Sequence, residues 1–155
     1  MSIRNVIKAL IVHDGQILLN RRVSSENGAY YALPGGGQIQ YETMEEALVR
    51  ECLEETGYLV RPLRFMALYE EIAQDPDLRK RYPDYTHQVY HVFLCQLESE
   101  AARAPTEEDQ DQVGCEWVGI EDLQLLDLRP AAIRDSIAVS LRDGIPLFLG
   151  SERSP

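Results

Sequence analysis

The chain has 155 residues, 45% hydrophobic and 26% charged, with a formal net charge of −11. This length suits one domain with its own core, read as residues 1–150, followed by a fraying tail at 151–155. The charge argues against stable binding to nucleic acid or an anionic membrane, though not against small phosphorylated substrates held through a divalent cation.

No apolar run is long enough to cross a bilayer, and the N-terminal segment lacks the features of a signal peptide, so a cytoplasmic protein is expected. Cys52, Cys95 and Cys115 are odd in number and far apart, which suits reduced thiols over a disulfide or zinc site.

In chain order, residues 3–13 and 16–22 read as strands joined at Asp14-Gly15, a strong hairpin signal. Leu33-Pro34-Gly35-Gly36-Gly37 breaks regular structure, because the proline extends Leu33 and the glycines permit unusual backbone angles. A helix follows from Met44 to Thr56. Thr43 and Glu46 have capping-box spacing, and Gly57 is placed to end it in a left-handed conformation. Residues 58–73 and 86–98 are strand-like, separated by the charged segment Gln74 to Tyr85. After a polar stretch from Ser99 to Gln112, a last strand runs from Val113 to Gly119. Arg129-Pro130 opens a final helix to about Asp143, with Gly144 as its stop.

The first helix carries the chemistry. At 100° per residue, Leu48, Val49, Cys52 and Leu53 share one arc and should face the core. Glu51, Glu54 and Glu55 gather within roughly 100° on another side. Like charges at that spacing repel by a few tenths of a kcal/mol per pair, and the helix dipole disfavours anions in its last turn. Arg50 relieves part of this. A divalent cation, Mg²⁺ or Mn²⁺, is the simplest further source of neutralisation, since such hard ions prefer carboxylate and carbonyl oxygens. Taken without its flanking loop, the cluster also fits a solvated acidic face.

Gly36, Glu42 and the run Arg50-Glu51-Cys52-Leu53-Glu54-Glu55-Thr56-Gly57-Tyr58 have a spacing that resembles the Nudix box of the Nudix hydrolases, the MutT-like family. Three positions depart from the usual pattern. Cys52 and Tyr58 replace bulky aliphatic residues, and Tyr41 stands where a glycine is common. The resemblance implies an α+β fold: an α/β/α sandwich with a mixed sheet and a loop–helix–loop box. It also implies roles. Glu51, Glu54 and Glu55 would hold Mg²⁺ or Mn²⁺ with the carbonyl of Gly35, while Glu42 and Arg50 brace the loop, Arg50 orienting the catalytic carboxylates. The expected reaction is hydrolysis of a diphosphate linkage in a nucleoside diphosphate joined to another moiety, such as a nucleoside triphosphate, ADP-ribose or a nucleotide sugar. Glu54 is the first choice as general base, with Glu107, Glu108, Asp109 and Asp111 as alternatives.

Arg22, at the end of the second strand, is similar to an arginine with which the family often contacts substrate phosphate, and an arginine can grip phosphate in a bidentate manner; a surface ion pair fits almost as well. A solvated loop is the plainer reading of Arg79-Lys80-Arg81 with Tyr82 and Tyr85, although phosphate steering and base stacking also fit. His87 and His91 share a strand face and suit packing better than metal binding. Family members often form homodimers. Two other functions are weighed. A non-catalytic nucleotide-binding module would be expected to have lost a box carboxylate, and none is missing. An isopentenyl diphosphate isomerase would want a catalytic cysteine, whereas Cys52 is placed on the core face. The box itself carries no information on the second moiety of the substrate.

Overall fold

The computed structural model describes residues 2–107 and 111–155. Strands β1 (Arg4–His13) and β2 (Gln16–Ser24) form a hairpin through Asp14 and Gly15, both with positive φ. This is the geometry that makes such a dipeptide a tight turn. Next come β3 (Gly28–Ala32), β4 (Gly35–Gly37), α1 (Met44–Thr56), β5 (Val60–Ala73) and α2 (Pro76–Arg81). The chain continues with β6 (His87–Leu97), β7 (Gln112–Gly119), α3 (Ala131–Asp143) and β8 (Leu147–Ser154).

The mixed sheet has the order β3-β2-β1-β6-β5-β8, with β4 added to β1 and β7 to β2. The β1–β6 and β5–β8 pairs are parallel, and the other pairs are antiparallel. β1 is central, and its alternation serves two cores. Leu10 packs with Leu19, Met66, Val92 and Ile137 on one face, while Ile7, Ala9 and Ile11 pack with Leu48, Cys52 and Cys95 on the other. Helices α3 and α1 cover these two faces, giving the expected α+β sandwich. Burying Leu48 completely stabilises the α1 contact by about 1.5–3 kcal/mol.

α1 forms as its local signals require. The Thr43 hydroxyl accepts from the Glu46 N–H, the Glu46 carboxylate accepts from the Thr43 N–H, and Gly57 ends the helix at φ 75. The sequence expectation fails in four places. The tail does not fray, because β8 runs to Ser154 and pairs with β5. β3 is a strand that the sequence pattern did not mark, paired with β2. The glycine run is a short strand, β4, paired with β1 across Val6, Ile7 and Lys8. The segment between β5 and β6 contains α2, which starts from an Asp75 cap and Pro76. Among the described residues, no helix is long and apolar enough to cross a membrane.

Candidate active site

β4 brings the glycines against α1. The Gly35 N–H donates to the Glu55 carboxylate at 2.9 Å. A Cβ on Gly36 would lie 2.5 Å from the Glu51 carboxylate, and the Gly37 carbonyl accepts from Arg50 Nη2 at 3.2 Å. Three successive glycines thus meet Glu55, Glu51 and Arg50. Gly35 has φ 132 and its Cβ would fall 2.0 Å from the Ile7 carbonyl oxygen, so only glycine fits there.

Arg50 organises one end of this seam. Its guanidinium clasps both oxygens of Glu42, at 2.6 and 3.0 Å, and reaches Glu51 at 2.8 Å and Glu54 at 3.3 Å. Hydrogen bonding to Glu42 raises the Arg50 pKa, and the same bond, with one from the Ile39 N–H, holds the Glu42 carboxyl below its usual range. Arg50 thus ties Glu42 and the Gly37 carbonyl to Glu51 and Glu54.

Glu55 turns inward and is only 2% exposed. Besides Gly35, its carboxylate accepts from Asn20 Nδ2 at 2.8 Å. Gln112 Nε2 completes the network, donating to the Glu55 carbonyl at 3.1 Å and to Asn20 Oδ1 at 3.3 Å. The three glutamates are helical neighbours, but their carboxylates are not gathered into one cluster. Glu51 and Glu54 share Arg50, while Glu55 belongs to the buried network. Asn20, Gln112 and Lys8 extend the site beyond the residues singled out from sequence. Asn20 and Lys8 do carry a sequence signal: each is a polar residue inside an apolar strand run.

Lys8 is buried on β1, and its ammonium donates to the carbonyl oxygens of Leu33 at 3.2 Å and Gly35 at 2.9 Å. Among the described residues, no three His, Cys, Asp or Glu side chains converge closely enough to hold a metal as they stand. The donor set still fits a hard divalent cation in kind: carboxylates of Glu51, Glu54 and Glu55 with the carbonyl of Gly35, all oxygen. Arg50 engages one oxygen each of Glu51 and Glu54, and each carboxylate has a second oxygen that can ligate a cation.

The remaining candidates divide. Arg22 follows Asn20 by two residues on β2, hence on the same sheet face. Thr106 and Glu107 donate their backbone N–H groups to the Glu54 carbonyl at 3.0 and 3.1 Å, bringing that segment to the end of α1. The carbonyl of Asp111 accepts from the Val23 N–H. Glu108 and Asp109 lie outside the described residues. Cys52 is fully buried, and desolvation pushes its thiol well above its usual range, which fits a core residue. His87 pairs with Glu70 at 2.8 Å, and the His91 ring bonds the Val89 carbonyl oxygen, so both serve packing within the sheet. Arg79 bonds the Ala73 carbonyl, and the Arg81 guanidinium lies 5.9 Å from the centre of the Tyr82 ring.

The NUDIX domain model matches residues 2–138. The chain is 36% identical over 137 residues to nucleoside triphosphatase NudI of Enterobacter sp. (strain 638), covering 84% of this chain and 92% of that protein. It is 31% identical over 135 residues to phosphatase NudJ of Escherichia coli (strain K12), covering 86% of this chain and 80% of that one. In fold it is similar to a NUDIX hydrolase from Nitrosomonas europaea, with TM-score 0.73 and 19% identity over 97% of this chain and 100% of the other. An ADP-ribose pyrophosphatase from Streptococcus suis 89-1591 gives TM-score 0.64 and 20% identity, covering 99% and 98%. With its box assembled along the β4–α1 seam, the chain belongs to the Nudix hydrolase family.

Proposed function

We propose that this hydrolase cleaves a diphosphate linkage in a nucleoside diphosphate joined to another moiety, with Mg²⁺ or Mn²⁺ as cofactor. One observation carries the reading. The seam sets Glu55 at Gly35, Glu51 at Gly36 and Arg50 at Gly37, so two box carboxylates and the arginine that holds Glu54 line one short strand. The relatives support the substrate class, since one is named as a nucleoside triphosphatase.

When bound, the metal neutralises phosphate oxygens and makes water more acidic. The chain's own residues divide the remaining work. Glu54, the least enclosed of the three box glutamates, accepts the proton of the attacking water as its oxygen bonds phosphorus. The bond from phosphorus to the bridging oxygen breaks, and the leaving phosphate takes the electron pair. Glu51, Glu55 and the other oxygen of Glu54, with the Gly35 carbonyl, would hold the metal, and Glu55 also fixes Gly35. Arg50 orients Glu51 and Glu54 from its anchorage on Glu42. Arg22 grips a phosphate oxygen from β2.

A panel of nucleoside triphosphates, ADP-ribose and nucleotide sugars, assayed with and without Mg²⁺, tests the proposal. Metal-stimulated release of a phosphorylated product from at least one member is expected. Ligand binding with no hydrolysis on any member would leave a non-catalytic nucleotide-binding module instead.

A further inference from the structure

A sheet buries its apolar rows against a helix or another sheet, and α1 does so for only part of one face. One row of that face crosses four strands as Ile7, His91, Leu68 and Phe148. Its exposure rises outward: Ile7 is fully buried beneath α1, His91 is 9% exposed, Leu68 is half-buried and Phe148 is 69% exposed. Phe65 and Val89, half-buried on the same face, flank this row. Phe65, Leu68, Val89 and Phe148 belong to neither core, although β5 and β6 carry core residues on their other face. The row ends on β8, the last strand of the sheet.

A local irregularity widens the patch. Strict alternation would turn Phe148 and Ser151 to opposite faces. β8 instead sets Leu149 and Gly150 opposite Tyr69 alone, a bulge with Gly150 at φ 94, so Phe148, Ser151 and Arg153 share the face of Leu68 and Glu70. The Ser151 hydroxyl accordingly donates to Glu70. His87 Nε2 lies 2.8 Å from the other oxygen of that carboxylate, and the two contacts hold it below its usual range. Glu70 is the one acid on these rows, and its charge is met in place. Over the rest of the surface, a net charge of −11 makes two copies of the chain repel.

The chain exposes 8677 Å², against about 7,900 Å² for a monomer of its mass. The surplus is close to the about 800 Å² that each partner buries in a standard interface. We infer that this face of β5, β6 and β8 docks a second copy of the chain, sheet against sheet across a two-fold axis, with Phe148 of each copy seated on Leu68 and Phe65 of the other. Charge selects the occupant. A basic partner would be drawn to the chain's acids, which this face lacks, whereas an apolar and charge-balanced patch is complementary to itself.

Sedimentation equilibrium of the full chain, from high dilution up to about 0.1 mM, should show a reversible dimer. Added salt should tighten it, because salt screens the repulsion between two acidic copies. Phe148→Glu should weaken association at least about thirtyfold. Its melting temperature at monomeric dilution should match the wild type, since Phe148 is mostly exposed. Leu125→Glu, at a position 83% exposed outside these strands, should leave the dimer intact. Cross-saturation from protonated to deuterated wild-type copies needs no variant, and should fall on the amides of Leu68, Val89 and Phe148. The inference is overturned by association that salt weakens, by a dimer that survives Phe148→Glu or is lost equally in Leu125→Glu, or by saturation on other strands. A wild type that stays monomeric at about 0.1 mM would leave the face to a different partner and refute the second copy. Metal-stimulated hydrolysis by such a monomer would keep the proposed reaction, and a dimer without hydrolysis would keep only this face.

Discussion

The Lys8 ammonium lies 2.9 Å from the carbonyl oxygen of Gly35, so a buried cation from β1 holds the backbone atom proposed as a metal ligand. Lys8 also takes the Leu33 carbonyl and therefore fixes both ends of the Leu33–Gly35 bend. Lys8→Met keeps the apolar stem but removes the donor, leaving two buried carbonyl groups to find new partners. A loss of about 1–3 kcal/mol is expected. Urea unfolding in a chelating buffer reads it, and an unchanged midpoint would show that Lys8 does not hold the bend.

Asn20 joins β2 to the box through Glu55 and Gln112. A hydrogen bond to a buried carboxylate is worth about 1.5–3 kcal/mol, so Asn20→Ala should destabilise by that amount and loosen Gly35 with it. Heat denaturation measures the first effect, and amide exchange at Gly35 the second. Faster exchange at Gly35 than at Ala67 on β5 is the expected pattern. Equal protection at Gly35 in wild type and variant would contradict the network.

Much of the box was legible because its signals are local. Thr43, Glu46 and Gly57 delimit α1 by capping chemistry, and the spacing of Glu51, Glu54 and Glu55 follows from helix geometry. What lies outside the sequence pattern depends on distant partners. Gly35–Gly37 carry no strand pattern, and they become β4 only because β1 offers free edge positions at Val6 to Lys8. β8 reads as a tail until β5 pairs with it. A helical wheel places Glu55 with the acidic face, yet Asn20, thirty-five residues earlier, draws its carboxylate inward. Lys8 and Asn20 interrupt apolar runs, and that interruption is the trace such inward-pointing polar residues leave in a sequence.

The Glu42–Arg50 clasp predicts a dependence of stability on pH. The clasp depresses the folded-state pKa of Glu42 below its ordinary value of 4.5. Its stabilising contribution is therefore fully present above that value and is lost as pH falls through the lower, folded-state one. Glu42→Gln should flatten this acid limb while changing the slope little near neutrality. Stability curves for the two proteins with the same slope below pH 4.5 would contradict the assignment.

Glu54 takes part in the clasp only through a 3.3 Å contact with Arg50, so its carboxylate matters little to the fold. Glu54→Gln should lower turnover by about 10²–10⁴ with the melting temperature nearly unchanged, as expected for loss of a general base. If the variant turns over at the wild-type rate, the base lies elsewhere. Glu107, whose backbone adjoins Glu54, and Asp111 are then the residues to replace next.

Uptake of Mn²⁺, followed by the loss of the free-ion paramagnetic resonance signal, addresses the seam itself. The wild type should bind the ion, more tightly with a nucleoside diphosphate present. A Glu51→Gln, Glu54→Gln double variant should bind at least about tenfold more weakly. Equal uptake by both proteins, or none by the wild type even with nucleotide, would contradict the assignment of these oxygens as ligands.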